Sequence, residues 1–445
     1  MTNHDAIVVL GGGPAGAAVA IGLVRLGHAV SLVTEPRRFS SIEGVSERTV
    51  AGLRNAGFHS ALDAVGSPSP RRVVWNGEIN QANTERLVDR RALDQGIRLD
   101  LGRSGVQVIE GRVNSIASAD RRHHVTIGQD GKRQVLSAGF LVEARGRAAP
   151  LAQAGRLRGV ETVSLLQIWR GPPVPLGSMI QSFEDGWIWV AADPTGARYT
   201  QLTVDVASSD LPSRQDLARF CREHLFRADM AGALLDGCDS CDTVNARTST
   251  PVLCRNAIGA DWVRVGDAAM AVDPLSGNGI FQSLSSALVA PAVINTLLRQ
   301  PDSADLARHF YQDRLDHLFM RFARTGRDFY RMEGCWPDRP FWAARQSWPD
   351  DEPMHQANDP AAIRVEDRPI VCDGTIQRRP VVITQDQPLG IWRLGNIELA
   401  PVILAIAEGR TEVNRPTELQ LRQRFGFKQS DARALHGWLA QHGLA

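Results

Sequence analysis

Along the first thirty-five residues the apolar positions change period twice. Ala6 to Leu10 is an unbroken apolar run of strand length, Pro14 to Leu26 reads as a helix, and His28 to Val33 is a second strand that ends at Glu35. Strand, helix and strand in one short segment predict a βαβ unit and with it a parallel sheet. Three extended stretches lie between Val106 and Val142, with Asp130-Gly131 as the hairpin turn between the second and third, which predicts a small meander. From Val160 to Val206 the pattern is strand-rich, with Trp187, Trp189 and Val190 in one run, and Arg214 to Leu225 predicts a helix.

The apolar pattern of the opening unit returns at Trp262 to Val265, a strand followed by a glycine-rich loop and a helix over Gly279 to Leu297. Another helix is predicted over Ala304 to Arg331. Past Cys335, tryptophan, proline and aspartate cluster from Trp336 to Asp351, a linker-like composition that marks a boundary. Residues 380–445 then show an extended segment and three short helical patterns, Leu399 to Ile406, Pro416 to Phe425 and Ser430 to His442. The expected fold class is α/β: a Rossmann-like, discontinuous dinucleotide-binding domain (1–155 and 245–335), an interleaved β-rich substrate domain (156–244), and a small α-rich, winged-helix-like C-terminal domain with its linker (336–445).

Composition narrows the function classes. Lys plus Arg number 50 against 49 Asp plus Glu, a net charge of +1, so no global field draws nucleic acid or an acidic membrane surface. The only lysines are Lys132 and Lys428. No run of about 18 apolar residues suggests a spanning helix, and the chain passes from Asp5 straight into a strand without a cleavable apolar segment, so a cytoplasmic protein is expected. Cys238 and Cys241 have the spacing of a zinc or redox pair, but no second pair supports a metal, and they are expected to be ordinary thiols near a helix end.

Gly11, Gly13 and Gly16 form G-x-G-x-x-G directly after a strand and, with Pro14 and Ala15, at the mouth of a helix. The first glycine permits the tight turn, the second lets backbone approach a pyrophosphate, and the third lets helix and strand pack closely. Glu35 ends the second strand nineteen residues after Gly16, where a carboxylate can accept hydrogen bonds from an adenosine ribose. This loop suits FAD or NAD and does not choose between them. Gly266-Asp267 chooses. It closes a late strand and precedes Asp273-Pro274-Leu275-Ser276-Gly277-Asn278-Gly279, placing a fixed acceptor for a ribityl hydroxyl ahead of a helix N-terminus that can stabilise negative charge on a reduced flavin.

The segments GGGPAG, SERTVAGLRNAG, VDRRALDQGI and GDAAMAVDPLSGNGI resemble the aromatic-hydroxylase family of FAD-dependent monooxygenases and its tryptophan-halogenase-like branch, over roughly residues 5 to 345. The resemblance implies that Arg48 lies near the FAD pyrophosphate or flavin, that Arg90 contacts the dinucleotide, and that Gly266 and Asp267 are the ribityl motif. Pro274, Gly277, Asn278 and Gly279 fall in the flavin loop. It departs at Ala144-Arg145-Gly146-Arg147, where hydroxylases often have Asp-Gly, which leaves NAD(P)H and an external reduced-flavin source, with a reductase partner, as alternative reductants.

Trp187-Ile188-Trp189 is similar to the halogenase Trp-x-Trp signature but continues into Val190-Ala191-Ala192. Halogenases also use an active-site lysine, and neither Lys132 nor Lys428 suits that role. The resemblance therefore implies hydroxylation of an aromatic ring through a flavin C4a-hydroperoxide formed with O2, chemistry in which a dry, positioning pocket does most of the work. Trp187 and Trp189 are candidates for that pocket's wall and equally for ordinary sheet core. His59, His123 and His124 show no constellation of a catalytic base and are expected to be solvated or turn residues.

In the tail, Arg410, Arg415, Arg422, Arg424, Lys428 and Arg433 alternate with Glu412, Glu418 and Asp431, less positive than a nucleic-acid face, so a protein-docking or structural module is expected. A third domain of this kind resembles the flavoprotein monooxygenases of tryptophylquinone biogenesis, of the type that matures quinohaemoprotein amine dehydrogenase. That resemblance implies a peptidyl tryptophan in a small precursor subunit as substrate. A hydroxylase of a free small aromatic, a flavin-dependent reductase or dehydrogenase, and a non-enzymatic docking protein with structural FAD are the alternatives.

Overall fold

In a computed structural model, residues 6–37, 39–120, 122–129, 131–150, 155–241, 243–277, 279–355, 359–408 and 415–445 are described. The opening unit forms as its pattern dictates: β1 (Ile7–Leu10), α1 (Pro14–Arg25) and β2 (Val30–Thr34), with every β1 residue buried. β1 and β2 pair in parallel, Leu10 opposite Val33, and the sheet extends through Phe140–Glu143 and Trp262–Arg264 on one side and Gln107–Glu110 on the other. The meander Arg112–Ala119, Arg122–Gln129 and Lys132–Ala138 forms a separate antiparallel sheet, its second turn at the expected place, where Asp130 lies outside the described residues.

The second large sheet recruits more of the chain than expected. Besides Thr162–Arg170, Gly177–Phe183, Gly186–Ala192 and Ala197–Asp205, it contains β3 (Ile42–Val45), β4 (Val65–Trp75) and β5 (Glu78–Asp89). The junction is a parallel pairing of β4 with Gly177–Phe183. Residues 42–45, 65–75 and 78–89, assigned above to the dinucleotide domain, thus belong to the substrate sheet. One face packs Ile188, Val190, Leu202 and Val204 against Cys221 and Leu225 of the helix Leu217–Leu225. The opposite face sets Ile180 and Trp187 against Leu275, Tyr330, Phe341 and Trp342.

The expected linker is also structured. The helix Pro340–Gln346 buries Phe341, Trp342 and Arg345, and compactness places residues 315–352 with 1–294 and leaves 295–314 with 353–445. The second unit carries its own core, in which Val382 meets Leu399, Val402, Leu421, Leu435 and Leu439. Its three helices are joined by an antiparallel sheet of Arg364–Cys372, Thr375–Thr384 and Gln387–Ile391. Arg410 and Glu412 lie outside the described residues. The helix Gly279–Arg299 is long and apolar enough to cross a membrane by length and composition, but Leu284, Ala287, Ala290, Val293 and Ile294 are fully buried, the pattern of a core helix.

Arg345 anchors the 340–346 helix to the sheet. Its Nη1 lies 3.0 Å from Asp205 Oδ2, with both side chains buried, and its guanidinium stacks 4.0 Å from the Phe341 ring centre. Replacing one partner strands the other charge in the interior, which costs about 3–5 kcal/mol. Arg345→Met is therefore expected to lower the unfolding free energy from denaturant titration by that amount, and a loss below about 1 kcal/mol would put the pair on the scale of a surface one.

Candidate functional site

The turn between β1 and α1 is built on glycine because backbone leaves no room for more. Gly11 has φ +111, and a Cβ there would lie 2.4 Å from the Ala144 carbonyl oxygen; one on Gly16 would lie 2.0 Å from the Gly11 oxygen. Gly13 is different. It is the N-cap of α1 without a side-chain cap, and a Cβ on it would meet nothing within 4 Å. Packing therefore explains Gly11 and Gly16, whereas the openness at Gly13 leaves the helix N-terminus, with Pro14 and Ala15 in its first turn, facing free space suited to an anion. Glu35 follows β2 at the same sheet end and is exposed.

The late motif arrives at this turn. Gly266 takes φ +59, and a Cβ on it would lie 2.6 Å from the Ala15 Cβ. Asp267 accepts from Ser283 Oγ at 2.8 Å and faces Arg147 Nε at 3.7 Å. Arg147 also donates to the Thr250 oxygen at 2.6 Å and the Val272 oxygen at 3.3 Å. Burial depresses its pKa, while Asp267 and then Asp273 hold it up. The segment that departs from the hydroxylase pattern thus braces the ribityl-motif loop. Arg145 turns away and pairs with Glu143, its Nε at 3.0 Å.

Arg90 opens α3 (Arg90–Arg103), capped by Asp89, and is buried. Its Nη1 lies 3.0 Å from Glu43 Oε1 on β3, and its Nη2 3.6 Å from Asp94. Burial weighs against its charge, but Glu43, Asp94 and Asp267 outweigh that and raise its pKa. Its Nε is buried and finds no partner among the described residues. A buried donor without an acceptor is costly, and a phosphate or ribose oxygen would satisfy it. Arg48, in the first turn of α2 (Glu47–Ala56), is exposed with no ion-pair partner among the described residues.

At the flavin loop, Asp273 caps a short turn by accepting from Leu275 N at 2.9 Å, with Pro274 at its start and Gly277 at its end at φ +62. Neither Gly277 nor Gly279 has an atom within 4 Å of where a Cβ would stand; Asn278 lies outside the described residues. Asp273 is itself buried and accepts from Tyr330 Oη at 3.1 Å, and Tyr330 Oη lies 3.2 Å from the Trp187 Nε1 donor. Burial raises the Asp273 pKa, against the Leu275 N–H, Arg345 and Tyr330, which pull it down. Trp187 is 2% exposed, so it fills core and orients Tyr330 and offers no open wall.

Trp189 is half-buried and donates Nε1 to Glu85 Oε1 at 3.1 Å. Glu85, on β5, is buried; Arg71 on β4 approaches it at 3.9 Å, and Gly44 on β3 lies so close that a Cβ there would be 2.2 Å from Glu85 Oε2. Nothing in the sequence reading pointed to Glu85, Arg71, Tyr330 or Asp273 as a set. Of the histidines, His59 and His124 are exposed, but His123 is buried with Nδ1 2.8 Å from Ser118 Oγ and Nε2 3.1 Å from the Asp261 oxygen, a satisfied sheet residue and not a solvated one. Lys132 is exposed on the meander, and Lys428 belongs to the second unit.

Both tests of fit to FAD are positive: open space at Gly13, Gly277 and Gly279 where packing demands none, and an orphaned donor on Arg90. No family model matches the chain. Over 382 residues it is 25% identical to the tryptophan 2-halogenase of Chondromyces crocatus, covering 78% of this chain and 71% of that one. The flavin-dependent halogenase CmlS shares the fold, with a TM-score of 0.78 and 17% identity over 100% of this chain and 96% of that one. The peptidyl tryptophan dihydroxylase QhpG, essential for tryptophylquinone cofactor biogenesis, superposes with a TM-score of 0.82 and 49% identity over 99% of both chains. With nearly half its residues shared from end to end, the chain belongs to the tryptophan-halogenase-like flavoprotein hydroxylase family of QhpG.

Proposed function

We propose that this chain is an FAD-dependent monooxygenase that hydroxylates a tryptophan side chain within a precursor protein, a step of tryptophylquinone biogenesis in the cytoplasm. The end-to-end identity of 49% with a peptidyl tryptophan dihydroxylase carries this reading. O2 is the co-substrate, and NAD(P)H or an external reduced-flavin source, with a reductase partner in the second case, supplies the electrons. FAD, when bound, provides the reduced ring that activates O2.

The chain's own residues bind, orient and keep dry. The first turn of α1 at Gly13, Pro14 and Ala15 offers N–H groups and a positive dipole end to the diphosphate, and Glu35 and Arg90 take the ribose and phosphate side. Asp267, fixed by Ser283 and Arg147, accepts a ribityl hydroxyl. The Gly277–Gly279 turn opens a helix whose N-terminus favours negative charge on the reduced ring. Tyr330, Phe341, Trp342 and Trp187 pack as a buried aromatic cluster behind that loop, with Tyr330 and Phe341 rings 5.8 Å apart, and so keep the interior beneath it dry. Trp189, Glu85 and Arg71 present polar and aromatic surface on the same sheet face. Neither of the chain's two lysines, Lys132 on the meander and Lys428 in the second unit, belongs to that face, which favours hydroxylation over halogenation.

Three outcomes check this account. Because Gly13 has φ −72 and open surroundings, Gly13→Val is expected to keep the circular dichroism and melting temperature of the FAD-free native chain yet lose FAD at least tenfold in affinity, seen as missing visible flavin absorbance; normal flavin content would remove the phosphate site. The folded state holds the Asp273 proton more tightly than the unfolded chain, so this residue's contribution to stability is full below the ordinary aspartate pKa and is lost as pH rises through the raised one. Asp273→Asn is expected to flatten that slope in unfolding free energies measured across acidic pH; identical slopes would show that Asp273 does not titrate there. Finally, mass spectrometry of a tryptophan-bearing precursor incubated with the FAD-loaded enzyme, reductant and 18O2 is expected to show labelled oxygen on the tryptophan, and an unchanged residue in a competent precursor would end the proposal.

A further inference from the structure

β5 has a free side. β3 pairs with it only from Arg86 to Asp89, so from Glu78 to Glu85 its outer backbone edge has no strand partner among the described residues. Glu78 through Thr84 are all exposed. Ile79 to Thr84 contain no charge and no proline, two of the devices by which sheet edges are normally protected.

This edge is held in place. The β4–β5 turn at Asn76 and Gly77 has φ of 52° and 72°, the geometry of a tight hairpin. Its tip is tied down on both sides, since Asn76 N donates to Glu333 Oε2 at 2.6 Å and Gly334 N donates to Asn76 Oδ1 at 2.9 Å. The irregularity between Asn80 and Asn83 is fixed by Ala82 N donating to Asn80 Oδ1 at 2.9 Å. A preformed edge costs little ordering when a partner binds.

The free stretch runs directly into the site. Register places Glu78, Asn80, Asn83 and Glu85 on the face shared with Arg71, Val73 and Trp75, the face on which Trp189 meets Glu85. We propose that an extended stretch of the precursor polypeptide adds to β5 along Glu78–Thr84, in line with β3, and so delivers its tryptophan to the face holding Trp189 and Glu85. Every second side chain of an added strand points to that face, so main-chain bonds supply affinity and one alternate side chain supplies the reacting ring. The occupant is committed: an edge with Glu78 at one end, no basic residue through Thr84, and Ile79 and Ala82 as its only apolar side chains has no field for a nucleic acid and too little apolar surface for a lipid. This inference rests on the peptidyl-tryptophan reading above.

Hydrogen–deuterium exchange on the full FAD-loaded chain, with and without the unmodified tryptophan-containing precursor, reads the edge directly. Amides within residues 78–84 are expected to slow at least tenfold when the precursor is present. A synthetic peptide spanning the target tryptophan, methylated at one backbone amide at a time, is expected to lose about tenfold or more in affinity at every second position, the size of one lost hydrogen bond. Labelled oxygen on the precursor with exchange at 78–84 unchanged overturns the docking edge and leaves the activity standing. Absence of both label and protection overturns both, and losses that do not alternate overturn strand pairing.

Discussion

Ala15 sits where any side chain on Gly266 would have to go, with only 2.6 Å available, and Gly266 can hold its φ of +59 because it has none. Two segments separated by some two hundred and fifty residues are thereby locked together at the mouth of α1. The site depends on this contact. It sets Asp267 beside Arg147 and within electrostatic reach of Arg90, and it starts the chain toward Asp273 and the flavin loop at a fixed angle. A bulkier residue on either side would part the phosphate turn from the ribityl motif while leaving each intact.

Around that contact the chain uses arginine almost alone as its cation, and the geometry shows why. Arg147 reaches two carbonyls and a carboxylate, Arg345 a carboxylate, a hydroxyl and an aromatic face, and Arg198 the oxygens of Pro172, Ala197 and Leu234. A planar fork of five donors can serve several fixed acceptors at once, which a single ammonium cannot. These charges are thus held by directional bonds in the interior of one unit, consistent with a net charge near zero and little use for long-range attraction.

The βαβ opening, the Gly-Asp strand end and most helices were legible because each rests on local periodicity and on glycines that local geometry demands. The substrate sheet was half hidden. Pro68 and Pro70 interrupt β4, where the pairing with β5 also shifts register between Val65 and Pro68, and the exposed polar run of β5 reads as loop. Only long-range pairing makes these residues strands. The 336–351 stretch looked like a linker because tryptophan, proline and aspartate alternate there, yet Trp342 and Arg345 are buried by partners drawn from elsewhere in the chain, Phe183 and Asp205. Glu85 and Tyr330 belong to no motif, and although Asp273 stands in the flavin-loop motif, its bond to Tyr330 comes only from what the fold brings against it.

The two indoles of the Trp-x-Trp run show how far position outweighs motif. They stand two apart on one strand and face the same way, but Trp187 sends its N–H to Tyr330 and thus toward the flavin loop, while Trp189 sends its own to Glu85 on β5 of the same sheet. One stiffens the loop and the other shapes the open face. Beside that face the cation is Arg71, and a guanidinium has no free nitrogen lone pair with which to relay an electrophile as an amine could. The halogenase CmlS shares this fold, so the scaffold does not choose between the two chemistries; the choice falls to the side chains on the face, which here are an indole, a carboxylate and a guanidinium and include no amine.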